Sequence, residues 1–161
     1  MNDTSADNSG DLKKRLEEMK ENLRKYLKVQ MPRNLRWTEG NIETTLRANG
    51  YCEYCGADLL RSPDAFWASE CDHVLPRKHG GNDDYDTNLA LVCRKCNSIR
   101  GGSLPDGMDA EGMKHMELPE RIAAVRPVVL ERRREQQVLE VYAKFREVLE
   151  LKRAQPKGGG K

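Results

Sequence analysis

The chain has 161 residues, 37% hydrophobic and 34% charged, with a formal net charge of +2. That length suits one modest domain with flanking helices and excludes two full cores. No apolar run approaches the length of a membrane span, and so polar a chain has a small core of the kind that a metal often staples.

The opening stretch, MNDTSADNSGD, is acidic and polar with no apolar segment behind it. This reads as a disordered tail over residues 1–10 and not as a signal peptide, which predicts an intracellular, cytoplasmic protein. Residues 11–49 form a helical region. Within it Leu12, Leu16, Met19, Leu23, Tyr26 and Leu27 share one face of a helix ending before Pro32. A second, short helix follows, with Thr38 or Asn41 as its N-cap, Ile42 and Leu46 inward and Gly50 as its stop. Trp37 reads as core.

Residues 50–103 read as the chemical centre. They carry six Lys/Arg against eight Asp/Glu, while each flank has an excess of two basic residues. A slightly acidic centre between basic arms suits a site that gathers a cation. YCEYCG is a tight knuckle, residues 69–75 a strand running into Pro76, and RKHGGNDDYD a loop. TNLALV leads to a second knuckle, and a helix runs from about Arg94 to Gly101-Gly102. Residues 104–117 read as a flexible linker in which His115 is exposed. From 118 to 154 a helical pattern resumes, interrupted or kinked at Pro127. Val138, Val141, Tyr142, Phe145, Val148 and Leu149 give its later part an apolar stripe, and Arg132, Arg133 and Arg134 read as a solvated face. Residues 155–161 are a tail. No internal repeat is present.

Four of the five cysteines, Cys52, Cys55, Cys93 and Cys96, form C-x2-C, a long gap and C-x2-C. In a reducing compartment this pattern favours metal over disulfides. Two intervening residues let both thiolates of a knuckle reach one ion. Four thiolates make a coordinatively closed tetrahedral Zn2+ site, structural rather than catalytic. The alternatives are an iron–sulfur cluster or two unrelated cysteine pairs. Cys71 is the odd one, a small buried side chain rather than a fifth ligand.

Asp72, His73, Asn88 and Asn97 each have an ordinary explanation, as a core histidine, a turn partner or a cap. As a set they offer more. An aspartate and an asparagine present oxygen to a hard cation such as Mg2+, and a histidine takes a proton from water near neutral pH. Adjacent strand side chains point to opposite faces. Asp72 and His73 therefore serve one site only if the strand ends or twists there, which Pro76 and the Gly-rich loop allow.

The run ECDHVLPRKHGGNDDYDTNLALVCRKCNSIRGG, with YCEYCG upstream, resembles the HNH endonuclease motif over about residues 50–102. The resemblance implies an α+β fold, a small ββα-metal core stapled by the four-cysteine zinc site and flanked by N- and C-terminal amphipathic helices. It implies hydrolysis of DNA phosphodiester bonds, leaving a 5′ phosphate and a 3′ hydroxyl. In the matching positions His73 is the general base, Asp72 and Asn97 hold one catalytic Mg2+ or Mn2+, and Asn88 braces the loop and orients His73 through its backbone. Arg100 is a phosphate contact, and Glu70 falls at a commonly acidic position with a supporting role. Asn97 stands where many members have His. Arg77, Lys78, Arg94 and Lys95 are further candidates for holding nucleic acid. Rival readings are a non-catalytic zinc-stabilised nucleic-acid-binding module, an RNA-cleaving nuclease and a protein-interaction adaptor. The apolar stripes allow packing on the core, a homodimer or attachment to a larger nuclease assembly.

Overall fold

The computed structural model describes residues 7–30, 39–134 and 137–154. The expectations for Pro32, Trp37, Thr38 and the last tail lie outside the described residues. The fold is α+β. Its elements in chain order are α1 (Asp7–Gln30), α2 (Glu39–Arg47), α3 (Pro63–Trp67), β1 (Ser69–His73), β2 (Leu89–Cys93), α4 (Arg94–Arg100), α5 (Ala110–Lys114), α6 (Leu118–Arg134) and α7 (Gln137–Ala154). Helix α1 thus begins inside the stretch expected as a tail. Asn41 lies within α2 rather than capping it, and Gly50, at φ 73°, follows that helix in the left-handed region glycine favours.

β1 and β2 pair antiparallel, with Asp72 opposite Ala90 and His73 opposite Leu89. Helices cover this ribbon on both faces, so β2 reads LALVC with its first four residues buried and no alternation. Thr44 of α2 is fully buried and bonds the Cys71 thiol on one face. On the other face α4 packs against both strands, and α6 packs on α4. The core joins Tyr54, Val74, Leu75, Leu91 and Val92 to Val125 and Val129 of α6.

The loop between the strands is closed by one side chain. Asn88 is 1% exposed. Its Oδ1 accepts from Leu75 N at 2.8 Å, and its Nδ2 donates to Leu75 O at 3.0 Å and Asn82 O at 2.8 Å. Gly81 passes so close beneath that a Cβ there would lie 1.7 Å from Leu75 O. Only glycine permits that approach.

Two segments differ from the sequence reading. Residues 104–117 contain α5, capped by Asp109 Oδ1 accepting from Gly112 N at 2.7 Å, and Met113 is fully buried in the core. Leu104, Met108 and Ala110 pack against that core too, but Pro105, Gly107 and Gly112 break the stretch and make it read as a linker. Helix α6 continues through Pro127, giving up one backbone bond while Val125 and Val129 hold it to the core. The stripes on α1 and α7 stay exposed, with Leu12 at 60% and Phe145 at 65%.

If Met113 is a core residue, Met113→Ala lowers unfolding free energy by about 2–5 kcal/mol in a urea titration. A side chain in a solvated linker would shift it by less than about 0.5 kcal/mol.

Candidate active site and metal centre

The two knuckles meet because β2 ties them together. Glu53, inside the first knuckle, donates its N–H to Leu91 O at 2.8 Å and accepts from Leu91 N through Oε2 at 2.7 Å. Arg47 of α2 holds Glu53 from outside at 3.0 Å. The Sγ atoms of Cys52, Cys55, Cys93 and Cys96 then lie within 4.8 Å of one another, with Cys55 and Cys93 at 3.9 Å. A zinc ion with four sulfurs at ~2.3 Å sets them about 3.8 Å apart, so the cluster fits such an ion. Among the described residues it is the one group of three or more His, Cys, Asp or Glu placed to hold a metal. The second knuckle also starts a helix: Cys93 ends β2 and caps α4, its Sγ accepting from Cys96 N at 3.4 Å. Hydrogen bonds from Cys52 and Cys96 pull the Cys93 thiol well below its ordinary value. The bond to Cys93 pushes Cys52 up to about 11. Cys96 is pushed up by its bonds to Cys52 and Cys93. The set thus favours one thiolate, Cys93, among thiol donors, whose place a bound cation would take. Cys71 stands apart, its thiol pushed up to about 11 by burial.

Strand alternation puts Glu70 and Asp72 on the face that α4 covers. Asn97 and Arg100, three apart on α4, meet them in order. Asn97 Nδ2 donates to Glu70 Oε2, leaving the amide oxygen, the atom a hard cation takes, at the other end of the group. Asp72 Oδ2 accepts from the hydroxyl of fully buried Tyr54 at 2.7 Å. Arg100 Nε lies 3.1 Å from the same oxygen, an ion pair whose N–H is not aimed at it. Burial raises the Asp72 carboxyl above its ordinary value, outweighing Tyr54 and Arg100, which lower it. Burial beside Asp72 likewise pushes the Tyr54 phenol up.

His73 has other company. Its Nε2 lies 2.6 Å from Asp83 Oδ1, which also accepts from Arg77 Nε at 2.9 Å and Nη2 at 2.7 Å. These bonds, His73 first, hold the Asp83 carboxyl below its ordinary value. Asp72 and His73 therefore end β1 with different partners, Asp72 under α4 and His73 towards the loop.

Arg77, Lys78, Arg94 and Lys95 are exposed. Arg100 departs from the expected phosphate contact. It is 2% exposed, and its guanidinium donates to Val74 O at 2.6 Å and to Gly101 O and Ser103 O at 2.7 Å each. Its fork is filled by backbone. Arg133 departs from the expected solvated face: its Nη1 lies 3.0 Å from Cys96 Sγ and 3.5 Å from Cys93 Sγ. Tyr54, Asp83 and Arg133 were missed from sequence. Tyr54 alone carried a signal, a large aromatic enclosed between two cysteines.

An antiparallel ribbon, the helix that follows it and a four-cysteine cluster at their junction define a small ββα domain built to take a metal. Residues 52–102 match the family model for HNH endonuclease, and over that stretch the chain carries an HNH endonuclease domain. It is also similar to the CRISPR-associated endonuclease Cas9 of Corynebacterium diphtheriae, 38% identical over 61 residues. That similarity takes in 38% of this chain and 5% of the relative, so the chain spans only a small part of that protein's length. No solved structure matches the chain.

Removing the Arg100 guanidinium takes a partner from Asp72 and from three carbonyls. Arg100→Gln is expected to cost about 3–5 kcal/mol in unfolding free energy, as for one partner of a buried pair. A phosphate contact would instead leave stability unchanged and flatten the salt dependence of nucleic-acid binding.

Proposed function

We propose that this chain is a metal-dependent endonuclease that hydrolyses phosphodiester bonds of DNA. His73 is the general base, and Asp72 and Asn97 hold a single Mg2+ or Mn2+. The observation that carries this reading is the separation of two donor sets inside the HNH stretch. Four sulfurs form one cluster, while Glu70, bonded to Asn97, and Asp72, paired with Arg100, lie apart from it between β1 and α4, with His73 next along the strand. The sulfur set suits a closed structural Zn2+. Two oxygen ligands suit a hard cation that keeps positions for water and a phosphate oxygen. The similarity to a protein named as an endonuclease adds support.

When bound, the hard cation supplies Lewis-acid stabilisation of charge on the phosphate and the departing 3′ oxygen. The chain's own residues do the rest. With Nε2–H donated to Asp83, the His73 lone pair lies on Nδ1, and that atom accepts the proton of the attacking water. Asn88 keeps the strand end rigid through Leu75. Val74 N, the amide directly after His73, is fixed by Asn88 O at 2.9 Å. Tyr54 and Arg100 hold one carboxylate oxygen of Asp72 and so orient the other. Exposed Arg77, Lys78, Arg94 and Lys95 hold flanking phosphates, which position a strand without reading its sequence. The exposed stripes of α1 and α7 are where a second copy or a larger assembly would attach, which the mass in solution decides.

The direct test is cleavage of supercoiled plasmid and of RNA with Mg2+, Mn2+ or EDTA, at matched zinc content. Wild type should cut DNA only with the cation, and His73→Ala should lose about 10²- to 10⁴-fold in rate. A mutant that cuts like wild type removes His73 from the role. A zinc-loaded wild type that binds but never cuts points to a binding module, and cleavage confined to RNA changes the substrate.

The raised Asp72 carboxyl gives a pH signature. Burial favours its protonated form, so protonation occurs at higher pH than for an ordinary aspartate. A protonated carboxyl is a poor cation ligand. The Mg2+ concentration giving half-maximal cleavage should therefore rise on acidification while pH is still above the ordinary aspartate range. A value flat through that range contradicts the assignment of Asp72.

A further inference from the structure

Helix α6 lies beyond the stretch that matches the HNH model, yet three of its arginines reach into the domain. Arg121 donates to Thr87 O at 2.9 Å and to Lys114 O at 2.8 Å. Arg132 Nη1 reaches Arg100 O at 3.0 Å and Ile99 O at 3.4 Å, the carbonyl end of α4, where the helix dipole favours a cation. Arg133 extends to the cysteine cluster, bridging Cys96 and Cys93 Sγ. Val125 and Val129, at 2% and 0% exposure, seat the same helix on the core, so the approach is built rather than a loose surface contact.

We propose that Arg133 is an outer-shell partner of the four-cysteine metal centre, a fixed cation that stabilises its thiolates and makes α6 part of the metal-holding unit. The inference rests on reading the cysteines as a metal site. Four thiolates around a divalent ion leave a net charge of minus two, in a place where Cys52 and Cys96 are buried. One guanidinium against two of the sulfurs halves that charge, and a single nitrogen, Nη1, lies within reach of both. Outer partners that hydrogen-bond ligands tune metal affinity by about 10- to 100-fold. A helix outside the nuclease motif thereby governs how firmly the motif keeps its zinc.

The test uses the full chain, loaded with Zn2+ or Co2+. Transfer of zinc to a chelating dye gives affinity and release rate. The thiolate-to-Co2+ charge-transfer bands report the sulfurs directly, without reference to cleavage. Arg133→Gln should weaken zinc binding about 10- to 100-fold and shift the charge-transfer bands. Arg133→Lys, which keeps the charge, should recover most of the affinity. Arg134→Gln, at an exposed neighbour, should match wild type. If Arg133→Gln fails to fold, the Lys variant decides. Affinity within a few-fold of wild type supports the proposal, and a loss approaching 100-fold overturns it. It is also overturned if Arg133→Gln holds zinc like wild type, if Arg134→Gln loses as much, or if the Co2+ bands do not move. A folded wild type that binds no zinc overturns the four-cysteine reading itself, whether or not plasmid cleavage is seen.

Discussion

Cys93 carries the constraint on which the rest of the domain depends. It is the last residue of β2, the N-cap of α4 and a member of the cysteine cluster. Any ion held there fixes, through one sulfur, where the ribbon stops and where the helix begins. The direction of α4 follows from that cap, and with it the positions of Asn97 and Arg100 over Glu70 and Asp72. A two-stranded ribbon is marginal by itself. Here it is held by a knuckle bonded to β2 through Glu53 and by helices on both faces. The cluster thereby aims the residues of the proposed site without belonging to it.

Beneath that cluster the polar interior is arranged around one cation, Arg100. Its guanidinium joins the end of β1, the residues after α4 and the Asp72 carboxylate. Burying a charge is costly unless it is paired and hydrogen-bonded; the three carbonyls that Arg100 meets supply the hydrogen bonds and Asp72 the opposite charge. A buried arginine also keeps Asp72 from being an isolated buried anion. Burial still keeps the Asp72 carboxyl raised, despite the Tyr54 hydroxyl and the Arg100 charge beside it. In the proposed site a divalent cation would meet the other oxygen of this carboxylate, so the support and the proposed chemistry lie on one side chain.

Much of this was legible because the chemistry-bearing residues are local in sequence. The cysteine spacing announced the cluster, and the run from Asp72 to Asn97 announced the ribbon and helix. Asn88 was readable as a brace through the family resemblance, although nothing in its own surroundings marks it as buried. What could not be read depends on distance along the chain. Arg100 has the composition of a phosphate ligand, and only the arrival of Val74 O from 26 residues away makes it interior. Arg132 and Arg133 sit in a charge run indistinguishable from a solvated face until α6 is laid on α4. Met113 sits in a stretch broken by Pro105, Gly107 and Gly112, whose turn residues hide the short helix that buries it. Charge and composition describe what a side chain can do, and packing decides which of those things it does.

The opposed orientation of Asp72 and His73 bears on why such a motif works at the end of a strand. Within a continuous strand the two side chains would be divided by the sheet itself. β1 stops at His73, and the chain turns through Leu75 and Pro76 under the grip of Asn88. In the proposed site, one phosphate laid across this strand end would meet a ligand, Asp72, from the α4 face and a base, His73, from the loop face. In this arrangement Asp83 does two things. It fixes the His73 ring, and its carboxylate lies between His73 and Arg77, where a phosphate oxygen would also be drawn. Asn88, bonded to both backbone groups of Leu75, and Gly81, packed against Leu75 O, keep the strand end from unravelling where it leaves the ribbon.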